Sequence, residues 1–120
     1  MRATRRELLP AQFQPSGGHD AAHAVLRQGD GKLVLAGYAT VGGATRVALV
    51  RYDTTGTLDP TFGTAGTVTT AINGRVDDAK GIAVQSDGKI VVVGRTAVPF
   101  VGSFGGHGFQ DDMAILRYLP

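Results

Sequence analysis

Apolar residues in this chain come in short runs bounded by Gly, Asp, Asn and Pro, and no stretch carries a helical period. The pattern predicts strands near Ala22–Gln28, Lys32–Ala39, Arg46–Tyr52 and Gly66–Ile72, then near Ala79–Gln85, Lys89–Thr96 and Asp112–Leu119. An eighth, Leu8–Phe13, precedes them, and its Pro10 marks it as an edge strand. Leu33-Val34-Leu35-Ala36 and Ile90-Val91-Val92-Val93 are apolar at every residue, so these strands need cover on both faces. Thr67-Val68-Thr69-Thr70 is mostly threonine and suits an outer position. The first strand of each set is rich in Ala and Gly (Ala22 and Ala24, Ala79 and Gly81), which permits close approach near a crowded axis.

The strands are written twice. Asp30-Gly31-Lys32-Leu33-Val34-Leu35-Ala36-Gly37 returns 57 residues later as Asp87-Gly88-Lys89-Ile90-Val91-Val92-Val93-Gly94, with Asp20 matching Asp77 and Gln28 matching Gln85. Ala48-Leu49-Val50-Arg51-Tyr52 returns as Ala114-Ile115-Leu116-Arg117-Tyr118 at an offset of 66, so the second copy carries nine extra residues between the matches. A repeat of this length sets the architecture: residues 20–76 form one unit and 77–120 a second that lacks its own outer strand. Residues 1–19 form an N-terminal segment holding the strand at about 8–13. Asp-Gly between two apolar runs in each copy predicts a hairpin turn. Gly37 and Gly94 are expected to end the second strand of each copy, and Gly42-Gly43 to open a loop to the third. In the second copy that loop swells to Ala97–Asp111.

Composition changes this picture little. At 42% hydrophobic and 18% charged the chain is globular in type, and its 18 glycines fit many tight turns. A formal charge of +2 gives no case for nucleic acid, and the absence of cysteine excludes disulfides and thiolate metal sites. No secretory h-region follows the N-terminal arginines, and the longest aliphatic runs are far short of the roughly 20 residues of a membrane helix. The expectation is a soluble chain that engages neither membrane nor nucleic acid.

Four antiparallel strands, the inner ones sandwiched and the outermost polar, describe one blade of a β-propeller. The run Ile82-Ala83-Val84-Gln85-Ser86-Asp87-Gly88-Lys89-Ile90-Val91-Val92-Val93-Gly94 and the run Val47-Ala48-Leu49-Val50-Arg51-Tyr52-Asp53 carry a family resemblance. So does Thr55-Gly56-Thr57-Leu58-Asp59-Pro60-Thr61-Phe62-Gly63, leading into Gly66-Thr67-Val68-Thr69-Thr70. Over about residues 20 to 118 the chain resembles the delta-60 repeat family of bacterial β-propeller repeats, a domain of unknown function. That resemblance implies a scaffold that is often exported or at the cell surface, with no catalytic residues to carry over.

The chain departs from that pattern by holding two copies and stopping before a second Thr55–Gly63 segment. Two readings stand. The Leu8–Phe13 strand supplies the outer strand of the final blade, or the chain is cut from a longer array. Either way the expected fold is all-β: two four-stranded antiparallel blades, an incomplete ring unless oligomerised, since propellers typically have 4–8 blades. The expected partners are copies of the same chain, three or four to a ring, or further repeats of a longer one.

Candidate chemistry is sparse. His19, His23 and His107 with Asp20, Asp77, Asp78, Asp111 and Asp112 could be drawn as a metal or acid–base cluster, but Asp20 and Asp77 are repeat equivalents and read as structural. Asp53–Asp59 reads as a turn and ordered connector rather than a calcium loop, with Phe62 as a packing anchor, and the repeated Arg51 and Arg117 make a structural contact, to Asp59 or a neighbouring blade, or else a ligand contact. No phosphate loop or nucleophile elbow is present, and the chain is expected to be non-enzymatic, without cofactor. The second copy's insertion holds the candidate ligand or partner contacts, Phe100, Phe104, His107 and Phe109. Two functions follow: a structural or protein-interaction scaffold, or a lectin-like propeller that binds carbohydrate or another small ligand through residues 97–111.

Overall fold

A computed structural model describes residues 19–72, 76–101 and 107–119, with side chains described outside 98–101 and 107–112. The Leu8–Phe13 strand and Phe104 therefore lie outside the described residues. Seven strands run in chain order: β1 (Asp20–Arg27), β2 (Leu33–Val41), β3 (Ala44–Tyr52), β4 (Thr67–Thr70), β5 (Asp77–Val84), β6 (Ile90–Val101) and β7 (His107–Tyr118). They form two antiparallel sheets, β1-β2-β3-β4 and β5-β6-β7, each a meander in sequence order, with no helix among the described residues.

The repeated text builds repeated geometry. In each copy a Gln opens the turn: Gln28 N donates to Lys32 O at 2.8 Å, and Gln85 N donates to Lys89 O at the same distance. The Asp side chain then accepts from the Lys amide, at 3.1 Å in both Asp30–Lys32 and Asp87–Lys89. Gly31 and Gly88 sit at φ of 91° and 88°, a region closed to most side chains, which is why Asp-Gly recurs. A β-bulge also recurs, between Ala22 and Ala24 in β1 and between Ala79 and Gly81 in β5.

Opposite that bulge the sequence reading needs correction. Gly37 and Gly94 do not end their strands; β2 and β6 run on through them to Val41 and Val101. Their glycine has another cause. A Cβ on Gly37 would overlap the Ala21 carbonyl oxygen, and one on Gly94 the Asp78 carbonyl oxygen, because the bulge brings the partner backbone inward. Gly42-Gly43 is likewise a two-residue hairpin turn, with φ of 60° and 81°, rather than the mouth of a loop.

The largest correction concerns the nine extra residues. Among the described residues they lengthen β6 and β7, each 12 residues against 9 in β2 and β3, and the ladder continues from Ala97–Asp111 to Val101–His107 where a loop was expected. β7 accordingly begins at His107, well before the expected Asp112. Continuing the period-2 ladder keeps backbone donors and acceptors paired, which an irregular excursion of that length would not.

The two sheets pack through unlike faces. Residues directly opposite in a ladder share a face, and the near face of the first sheet carries Val34, Ala36, Val47 and Leu49, all within 1% of full burial. Against it lie Ile82, Ile90, Val92, Leu116 and Tyr118 of the second sheet, with Phe62 and Ala79 completing the cluster. The far face of the first sheet is also covered at Ala48, Val50 and Tyr52, so β3 is buried on both sides along its apolar run Val47–Val50. Thr70 of β4 and Tyr118 of β7 share a hydrogen bond of 2.8 Å across the layer, and burial pushes the Tyr118 phenol upward in pKa despite that bond.

Replacing Gly37 with Ala is expected to destabilise the fold by more than about 2 kcal/mol, since backbone must move to admit the methyl. Gly29→Ala, where nothing lies within 4 Å, should change stability by less than about 0.5 kcal/mol. Urea denaturation of both variants beside the wild type checks the contrast.

Candidate functional site

Three polar clusters stand out among the described residues. The first is centred on Asp59, in the connector between β3 and β4. Its Oδ2 accepts from Arg51 Nε at 2.9 Å and pairs with Lys32 Nζ at 2.9 Å. Its Oδ1 accepts from Thr61 N at 3.0 Å and Thr61 Oγ1 at 2.6 Å. The Arg51 guanidinium stands 4.5 Å from the centre of the Phe62 ring, a cation–π contact that seats the connector on the core. The Thr61 hydroxyl first, then Lys32, the Thr61 amide and Arg51, hold the Asp59 carboxyl well below the usual carboxylate range. Of the alternatives expected for Arg51, Asp59 is the one it meets, and Phe62 packs on the core cluster as expected.

Asp53 makes a smaller version of the same device. Its Oδ1 accepts from Thr55 N, Thr55 Oγ1 and Thr57 N at 2.9, 2.6 and 3.1 Å, and these bonds, the Thr55 hydroxyl foremost, lower its pKa. The segment 53–59 is thus a turn closed by its own carboxylates, in keeping with the turn-and-connector expectation.

The second cluster joins the sheets. Asp77 is fully buried; its Oδ1 accepts from Thr96 Oγ1 at 2.6 Å and its Oδ2 from Ile72 N at 2.7 Å, while its own amide donates to Thr45 Oγ1 at 3.0 Å. It ties the end of β4 and the start of β3 to the first strand of the next sheet. Its repeat equivalent Asp20 accepts from Thr40 N at 3.1 Å, so both act in strand pairing, as their shared position implies.

The third cluster is the only part of the imagined His–Asp constellation that forms among the described residues. His23 and Lys80 are the bulge residues of their two sheets, and both reach Asp78 Oδ2, at 3.3 and 2.9 Å. His23 also lies against Tyr38, ring centres 5.9 Å apart. Asp78 is 5% exposed, and its Oδ1 is buried without a hydrogen-bond partner. It borders a cavity of about 330 Å³ with His19, Tyr38, Thr40, Thr45 and Arg95. Among the described residues no three His, Asp or Glu side chains converge with metal-site spacing. Sequence reasoning passed over Asp78 as a pivot; the available signal was that its counterpart in the first copy is Ala21, a disagreement between otherwise matched strands.

The other expected contacts are placed by the backbone alone. Phe100 pairs with Gly108, Phe109 with Pro99, and His107 with Val101, all in the extended part of the β6–β7 hairpin. Asp111 and Asp112 pair with Ala97 and Thr96 further down the same ladder.

Because its folded pKa is depressed, Asp59 adds stability above its unfolded value of about 4, and that share is lost as pH falls through the folded value. Asp59→Asn should therefore be less stable than wild type at pH 7, and the gap should narrow progressively below about pH 4. Thermal unfolding midpoints of both proteins across pH 2 to 8 check the sign.

Two stretches, residues 28–62 and 85–99, match the model of a family described as "Domain of unknown function (DUF5122) beta-propeller". Their starts are separated by the same 57 residues as the repeat. No curated protein and no solved structure matches the chain significantly. Matched stretches and open antiparallel sheets together give the chain the fold of an incomplete β-propeller, similar to a propeller family whose function is unknown.

Proposed function

We propose that this protein is a non-enzymatic β-propeller repeat module that works as a structural or protein-interaction scaffold. The supporting observation is where its chemistry and its apolar surface lie. Several charged groups of the repeat text are engaged within the fold: Arg51 and Lys32 both with Asp59, Asp53 with its own loop, and Asp77 with three segments. The surface left open on the second sheet is largely apolar, with Val93, Met113 and Ile115 exposed on the face that also carries Arg117. Open apolar sheet faces call for a protein partner, and repeat units bury such faces against units of their own kind.

A second reading, a propeller that binds carbohydrate or another small polar ligand, draws on the Asp78 cavity. A buried carboxylate oxygen without a donor is the kind of group a ligand hydroxyl would satisfy.

Light scattering on the isolated chain separates the readings when run beside a glycan array. The scaffold reading expects a discrete oligomer of three or four chains, giving six or eight blades, and no glycan retained. A monomer at micromolar concentration that retains a glycan, and loses it in Asp78→Asn, would replace it with the ligand-binding reading.

A further inference from the structure

The two copies let each face of the second sheet be named by its counterpart in the first. The ladders carry the correspondence strictly: Leu33 pairs with Tyr52 as Ile90 pairs with Tyr118, Leu35 with Val50 as Val92 with Leu116, and Ala36 with Leu49 as Val93 with Ile115. The face that the second sheet lays on the first, built on Ile82, Ile90, Val92 and Leu116, is thus the equivalent of the first sheet's far face, Val25, Leu33, Leu35 and Val50. The near face of the first sheet, Val34, Ala36, Val47 and Leu49, has as its equivalent the second sheet's far face: Val91, Val93, Met113 and Ile115. The packing is head to tail between unlike faces.

Burial follows only halfway. Val34, Ala36, Val47 and Leu49 are at most 1% exposed, whereas Val93, Met113 and Ile115 are 41%, 73% and 62% exposed. The second sheet therefore repeats the surface that buries the core in the first and leaves it open. At the other end, Val25 is 63% exposed, although its equivalent Ile82 packs on the core cluster.

Resting on the scaffold reading above, we infer that the far face of the second sheet, centred on Val93 and Ile115, is a docking face for the far face of the first sheet, around Val25 and Leu35, in a second copy of this chain. The argument is continuity with an interface already formed: the same two unlike surfaces meet inside the chain, in matched register. Val50 and Tyr52 are already buried within each chain, so the contact centres on the β1–β2 side of that face, where Leu33 and Leu35 are half-buried. A contact between unlike faces leaves one of each unpaired in any open chain of copies, so it propagates until a ring closes.

Sedimentation equilibrium on the full chain, on Val25→Glu, on Ile115→Glu and on an equimolar mixture of the two variants tests this. Both side chains are exposed in the single chain, so either substitution should leave the fold intact, which circular dichroism verifies. The wild type should assemble, and each variant should associate at least about 100-fold more weakly, because a carboxylate would be buried in the contact. The mixture should form one-to-one heterodimers that grow no further, since a Val25→Glu chain keeps the receiving face and an Ile115→Glu chain keeps the inserting one. A wild type that assembles while Val25→Glu assembles equally well, or a mixture that stays monomeric, overturns the head-to-tail contact and leaves the scaffold reading standing. A monomeric wild type overturns both.

Discussion

The contact on which the rest of the molecule depends is the layer in which Val34, Ala36, Val47 and Leu49 meet Ile82, Ile90, Val92 and Leu116. Each fully buried aliphatic side chain there contributes roughly 1.5–3 kcal/mol relative to exposure. A single blade cannot obtain that, because its middle strands are apolar on both faces and one sheet covers neither. The polar clusters fix this layer rather than compete with it. Asp77 binds the outgoing end of one sheet to the incoming strand of the next, and Thr70 and Tyr118 join the outer strands. Arg51 brings Phe62 onto the core while Asp59 neutralises it.

Beside the layer runs a backbone constraint. The bulges at His23 and Lys80 push Ala21 and Asp78 towards the neighbouring strand, and only glycine at 37 and 94 admits them. The same bulges turn two unlike side chains, a histidine and a lysine, onto one carboxylate, Asp78. A device repeated for packing thus creates a polar feature that exists in neither copy alone.

Much of the fold was legible because its signals are local. The Asp-Gly turns, the strand cores and the equivalence of Asp20 with Asp77 all follow from short-range chemistry repeated at a fixed spacing. Gly37 was misread because its reason is a carbonyl on another strand, which no window along the sequence contains. The 97–111 segment reads as a loop along the sequence because Pro99 and Gly108 are breakers in isolation, yet the ladder carries pairing through both. Arg51 is marked by its recurrence as Arg117, and its partners Asp59 and Phe62 lie in the connector that follows it. Asp78 was hidden because its partners come from different copies.

That unlike faces of successive repeats meet across one buried layer is the central claim, and the Thr70–Tyr118 pair is its most direct probe, since the two side chains belong to the outer strands of different sheets. A double-mutant cycle with Thr70→Val and Tyr118→Phe, read by urea denaturation, should give a coupling of about 0.5–1.5 kcal/mol. Additive effects of the two substitutions would contradict the packing described.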